Sequence, residues 1–368
     1  MRNPFSQAKS NLSAVHFFLP LLPAPSLSGL FILPTAAATC RFLLPLLFLL
    51  STLNANAWGF WGHQRINRIA VFLLPPEMIS FYKENIDFIT EHAVDPDKRR
   101  YSVAEEAPRH YIDLDHYCTL PCDSMPHRWK DAVAKYSEDT LKAYGIVPWH
   151  IQTMMYRLED AFKAKDKQKI LRTSAEIGHY IADSNVPLHT TENYNGAQTN
   201  QVGIHGFWES RIPELFGDDY DYFIGKAEFV AKPSERIWAT VMESHRALDS
   251  VFGFEKQISQ SFPADRKYAF DTRGVTTGKM YSAEYTEAYS KMMDGMVERK
   301  MRRSIKMVAD IWFTCWVNAG SPDLKKIETH QLTAQEQEEI DAEEKAWKEK
   351  KKTMYGHPHA ETGSEGTK

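Results

Sequence analysis

Cysteine is scarce, with four in 368 residues, and this excludes a disulfide-built scaffold or a cysteine-rich structural metal site. Cys40 falls in an apolar N-terminal stretch and Cys315 in an apolar helical pattern that buries a free thiol. Cys118 and Cys122 bracket a short Thr-Leu-Pro turn, and a small-loop disulfide fits there in an oxidising compartment. An excess of basic charge is also missing: 44 Lys and Arg face 48 Asp and Glu. A module that grips nucleic acid through its phosphates carries a basic surface, so no stable nucleic-acid complex is expected. The sequence has no internal repeat, no phosphate-cradling glycine loop and no Gly-x-Ser-x-Gly nucleophile motif. Strand-like alternation is absent as well, which leaves helical periodicity to organise the chain and predicts an all-α fold.

Residues 1–57 read as a leader. They hold Arg2, Lys9 and Arg41 and no acidic residue. The run FLLPLLFLL precedes Ala55-Asn56-Ala57, a small-x-small cleavage site. The run is short for a membrane span, and an uncleaved anchor is the alternative. A cut after Ala57 makes Trp58 the new N-terminus and leaves 41 basic residues against 48 acidic, a net charge of about −7. The expected location is periplasmic or secreted, without a transmembrane helix in the mature form.

Residues 58–325 then form one domain. Ile66, Ile69, Ala70, Leu73 and Leu74 give a helical stripe ended by Pro75-Pro76. Further helices are expected over 77–90, 128–144, 149–163, from 167 onward, over 234–250 and over 283–317, with 262–279 as a loop. Residues 326–368 are a charged helix and a polar tail with no means of forming a core.

The densest chemistry lies between Gly178 and Arg211. His179 and Asp183 stand four residues apart, as do His205 and Glu209, so on helices each pair projects from one face. Pro187 ends the first helix and lets His189 approach from another direction. Imidazoles and carboxylates without cysteine suit zinc in a hydrolytic site. Each histidine taken alone is more often structural than ligating, but a buried cluster of this size without metal is hard to stabilise, because unpaired buried charge is costly.

Trp58, the WGxxGH start, the HYID run and HYIADSNVPLH together resemble the zinc-dependent superfamily of bacterial phospholipase C and the single-strand-specific fungal nucleases. The resemblance covers roughly Trp58 to Gly320 and implies a largely helical domain holding three zinc ions. Carried onto this chain, it implies a first zinc on the α-amine and carbonyl of Trp58 with His63 and Asp183. It implies a second on Asp95, His110, His179 and a shared oxygen of Asp183, and a third on His189, His205 and Glu209. Asp95 would also orient the attacking water or accept its proton, with Asp97 as the alternative. Asp113 and Asp115 are expected as supporting or capping groups, and His92, His116, His127, His150 and His245 as ordinary residues.

The implied reaction is hydrolysis of a phosphodiester by a secreted enzyme, expected to be a monomer. The step of 16 residues from His189 to His205 and the use of Glu209 favour a phospholipase-C-like enzyme acting on phospholipid. The five-residue step from Trp58 to His63 and the NVPLH run favour a single-strand nuclease or nucleotidase. Tyr194, Phe207 and Trp208 could stack bases or border lipid. A non-catalytic secreted zinc-binding protein is the third reading.

Overall fold

The computed structural model describes residues 59–122, 124–273, 276–327 and 334–349. The leader 1–57, its cleavage site and Trp58 lie outside the described residues. The architecture is all-α. Its helices are α1 (Gly59–Ala70), α2 (Pro76–Glu84), α3 (Ile86–Glu91), α4 (Asp95–Arg99), α5 (Val147–Ala164), α6 (Lys167–Ser184), α7 (Pro233–Arg246), α8 (Leu248–Ser261), α9 (Ala283–Met292), α10 (Met296–Asn318) and α11 (Ala334–Glu349), with shorter helical turns between them. Among the described residues, no helix is long and apolar enough to cross a membrane.

The centre is α6. Asp166 caps its start by accepting a hydrogen bond from the Lys169 backbone N–H at 3.1 Å, as a capping aspartate does. Every residue from Ser174 to Ser184 is buried, so this half of the helix is covered all round. It packs along α5, and α10 crosses α1, α5 and α6. Trp312 of α10 donates from Nε1 to the Ser174 carbonyl at 3.0 Å, and Tyr82 of α2 stacks on Trp312 with centroids 5.0 Å apart. Burying such rings supplies the largest single apolar contributions to a core, and the bond to Ser174 satisfies the one polar atom of the indole.

Close approach of α1 to α6 depends on Gly178. A Cβ there would stand 2.0 Å from Asn67 Oδ1. Asn67 instead lies flat against the helix and donates from Nδ2 to the Ala175 carbonyl at 2.9 Å. The contact sets the distance between the two helices that carry His63, His179 and Asp183.

Two expected helices divide. The 128–144 segment breaks at Ser137, whose φ is 71°, and 283–317 breaks before Gly295, whose φ is 69°; positive φ interrupts a right-handed helix. The expected loop 262–279 is instead largely an antiparallel hairpin, β1 (Tyr268–Arg273) with β2 (Thr276–Tyr281), in which Tyr268 pairs with Tyr281 and Arg273 with Thr276. Gly278 helped to hide it, since glycine reads as a loop signal, yet here it lies inside β2 opposite Asp271. Cys118 and Cys122 are disulfide-bonded with Cα atoms 5.3 Å apart, and Cys315 is a buried free thiol.

Candidate metal centre

Three segments first converge on the C-terminal half of α6. His63 comes from α1, Asp97 from α4, His110 from the turn after Ala104–Arg109, and His179 and Asp183 from α6 itself. The chain then leaves α6, and the short Pro187–Thr190 turn brings back His189, whose carbonyl accepts from the Ile112 N–H at 2.9 Å. His205 and Glu209 follow on a helix that widens to π geometry over Phe207–Arg211, an irregularity common at functional sites. His63, Asp97, His110, His179, Asp183, His189, His205 and Glu209 are all buried. They fall into three groups able to hold a metal ion: His63, Asp97 and His179; His110, His179 and Asp183; His189, His205 and Glu209.

Asp183 stands between the groups. Its Oδ1 faces His63 Nε2 at 3.4 Å and His189 Nε2 at 4.0 Å, while Oδ2 faces His110 Nδ1 at 3.0 Å and His179 Nε2 at 3.4 Å. In the third group, Glu209 Oε2 lies 3.0 Å from His205 Nε2 and 3.4 Å from His189 Nε2.

Electrostatics prepares these groups for ligation. Burial alone pushes the Asp183 carboxyl upward, but the neighbouring His179 and His189, then the His110 hydrogen bond and the nearby His63, hold it well below the usual carboxylate range. Burial, and next His63, bring His179 well below its ordinary value. Burial and then the Arg100 charge bring His205 down to about 3, so its imidazole is neutral, the form a metal needs.

Supporting contacts fix the rings. The His179 Nδ1–H donates to the Ala93 carbonyl at 2.9 Å and turns Nε2 toward the cluster. His110 points Nε2 at Glu106 Oε1, 3.5 Å away, and Nδ1 at Asp183. Glu106 is itself held by Arg99 Nε at 2.8 Å, Arg109 at 2.6 Å and the Tyr180 hydroxyl. Metal-binding histidines are oriented by such bonds on their second nitrogen.

Asp95, expected as a ligand and as the group handling the attacking water, lies outside the cluster. Its carboxylate is taken by His92 Nδ1 at 2.5 Å and Lys98 Nζ at 3.0 Å. Asp97 is the residue that enters, with Oδ1 at 3.8 Å from His179 Nε2 and 3.9 Å from His110 Nδ1. Both sit on α4, where a step of two residues turns a side chain about 200° around the axis; a spacing counted along the chain to His110 cannot tell which faces inward. Phe207 and Trp208 are buried and cannot stack a substrate, whereas half-buried Tyr194 meets His205 edge-on at 5.3 Å.

Arg100 and Glu106 were not anticipated. Arg100 is buried with its Nη1 3.8 Å from Asp97 Oδ1, and its charge acts on both His110 and His205. Glu106 precedes His110 by four residues, a spacing visible in the sequence, but its burial among three donors was not. The five histidines read as ordinary have partners elsewhere: His92 with Asp95, His116 with Glu192, His127 on Trp238, His150 on Tyr180 and His245 with Thr190. Asp115 supports the site indirectly by accepting from Thr191 Oγ1 at 2.6 Å, two residues beyond His189.

Metal fits these groups on two counts. Four zinc ligands at about 2.0–2.2 Å from the ion lie roughly 3.3–3.6 Å from one another, and the 3.0–3.4 Å separations around Asp183 and Glu209 approach that spacing. The side-chain nitrogens of His63, His189 and His205 and both carboxylate oxygens of Asp97 also have no hydrogen-bond partner among the described residues. Buried polar atoms in that condition are costly unless something else binds them.

Residues 58–303 match the S1/P1 Nuclease family. No curated protein matches the chain.

Proposed function

We propose that this chain, which belongs to the S1/P1 nuclease family and is therefore a phosphodiester hydrolase, cleaves single-stranded nucleic acid with three zinc ions. The observation that carries this reading is the set of three buried donor groups linked through Asp183. His63 and Asp183 would hold one ion, Asp97, His110, His179 and Asp183 a second, and His189, His205 and Glu209 a third. Trp58 is proposed to complete the first through its α-amine and carbonyl after cleavage behind Ala57. Gly59 supports that placement: with φ at 48°, it packs so closely on Ser210, next to Glu209, that a Cβ would stand 2.8 Å from Ser210 Oγ.

Bound zinc supplies Lewis acidity toward phosphate oxygens and lowers the pKa of water to near ~7. The protein's own part is positioning. Asp97 takes the role expected of Asp95 and orients the attacking water by accepting its hydrogen bond. Arg100, beside Asp97, offers its guanidinium to a non-bridging phosphate oxygen, the planar fork suited to that geometry. The water oxygen forms the new bond to phosphorus, the ester P–O bond breaks, and a proton passes to the leaving oxygen. Glu106 keeps the Nδ1 of His110 turned inward throughout.

The family match supports the nuclease reading over the phospholipase-C-like one. The His189–His205 step is a weak guide because it spans a loop closed by its own hydrogen bonds, among them Asn193 Oδ1 accepting from the Gln198 N–H and Asn195 Oδ1 from the Gly203 N–H. Such a loop can change length without moving either histidine. The Cys118–Cys122 disulfide supports a periplasmic or secreted location.

The test is turnover of single-stranded DNA and RNA, a choline phospholipid and a simple phosphodiester by the zinc-loaded protein. Cleavage of the polynucleotides with little phospholipid turnover is expected. Phospholipid turnover alone refutes the nuclease reading, and bound zinc without any turnover would make the site structural.

A further inference from the structure

Helix α11 lies beyond the 58–303 family match and is polar nearly all round, AQEQEEIDAEEKAWKE, with seven carboxylates against two lysines. Such a helix has no apolar stripe to hold it in place. A few side chains dock it instead. The Trp347 ring lies 5.3 Å from Phe60 and 5.2 Å from Tyr101, meeting the second edge-on. Glu343 Oε2 lies 3.7 Å from Arg99 Nη1 and 3.6 Å from Arg172 Nη2.

Both aromatic partners border the metal centre. Phe60 stands three residues before His63 on α1, within one turn on the same face. Tyr101 follows Arg100, whose guanidinium is 3.8 Å from Asp97. The Tyr101 hydroxyl is pushed up by burial and then by the charge of Asp97, which sets it within electrostatic reach of the cluster. Two rings beside the arginine proposed above to meet phosphate suit a single strand, since any base can stack on an aromatic face. A segment of carboxylates ending in an indole copies that ligand: negative charge for the phosphates and a flat ring for the base.

We propose that Phe60 and Tyr101 form a base-stacking subsite and that Trp347 occupies it in cis, so that the C-terminal helix competes with a single-stranded substrate. This rests on the nuclease reading. Tethering gives the indole a high local concentration, and the acidic helix repels a polyanion until the strand displaces it. Displacement would break the ring contacts of Trp347 and the ion pairs of Glu343.

The experiment uses the full-length zinc-loaded protein and its Trp347→Ala and Trp347→Phe variants. Three readouts are compared: anisotropy of a fluorescein-labelled phosphorothioate oligothymidylate, kcat/KM on single-stranded DNA, and turnover of methyl 4-nitrophenyl phosphate. Trp347→Ala should tighten oligonucleotide binding and raise kcat/KM on DNA about tenfold, the scale of one base–aromatic stack, while turnover of the small diester stays unchanged. Trp347→Phe should remain near the parent protein, and adding Phe60→Ala to Trp347→Ala should cancel the gain. Unchanged or weaker oligonucleotide binding by Trp347→Ala, with normal turnover of the small diester, overturns the proposal. So does a loss of small-diester turnover in that variant, which would make Trp347 a folding contact. A parent protein that turns over the small diester but neither binds nor cleaves DNA refutes the nuclease reading instead.

Discussion

Replacing Asp97 by Asn, with Asp95→Asn as its control, separates the two aspartates that the sequence left open. Asp97 is fully buried, neither carboxylate oxygen has a hydrogen-bond partner among the described residues, and the Arg100 guanidinium and the His110 and His179 rings stand 3.8–3.9 Å away. Burial pushes its carboxyl upward, so without metal the charge costs stability and the neutral amide is tolerated. With zinc the sign reverses, because the carboxylate becomes a ligand. A 100-fold loss of affinity for one ion removes about 2.7 kcal/mol of linked stability. At about 2–4 °C per kcal/mol for a domain of this size, Tm should fall by roughly 5–11 °C in zinc and change little in EDTA. Asp95, paired only with His92 and Lys98, should move Tm by no more than ~2–4 °C in either condition. Elemental analysis of the purified proteins, with thermal melts in zinc and in EDTA, reads both effects. Full zinc content in Asp97→Asn together with zinc loss in Asp95→Asn would refute the assignment.

Three further outcomes are expected. Glu106→Gln leaves the buried Arg99 without one carboxylate partner and loosens His110; a broken buried pair costs ~3–5 kcal/mol, seen as a lower urea midpoint together with reduced zinc content. Gly178→Ala drives a methyl into Asn67 and pushes α1 off α6, costing about 1–3 kcal/mol; circular dichroism should keep the helical signal while zinc affinity falls. Burial brings Lys300 down to about 8 from 10.5, so the unfolded chain holds the proton more tightly, and this lysine lowers stability most below pH 8. Lys300→Met should therefore raise Tm at pH 7, by up to ~3 kcal/mol of stability, with the advantage shrinking from pH 8 to 10.5. An advantage that grows over that interval would contradict the assignment.

Periodicity was a good guide where one face of a helix carried the chemistry. His179 with Asp183 and His205 with Glu209 emerge from single helical segments, and a spacing of four residues is enough to align them. The same counting failed at Asp95 and Asp97, where the choice depends on how a five-residue helix is rotated against α6. It also missed Arg100 and Glu106, whose cluster partners Asp97 and His110 are close in the chain but whose burial depends on distant segments such as Tyr180, and it missed the ring partners of Trp347 far back in the chain. Within the charged segment beyond residue 325, Trp347 meets the rings of Phe60 and Tyr101.

Local chemistry in the sequence thus determined the helical class and pointed to most of the buried His, Asp and Glu side chains that gather in three groups able to hold a metal ion, because helix spacing and residue type are encoded over a few residues. Only the tertiary structure decided which aspartate enters, how the two oxygens of Asp183 divide between groups, and what stands beside the site. Those depend on the packing distance that Gly178 permits between α1 and α6 and on contacts between segments far apart in the chain, which no local pattern records.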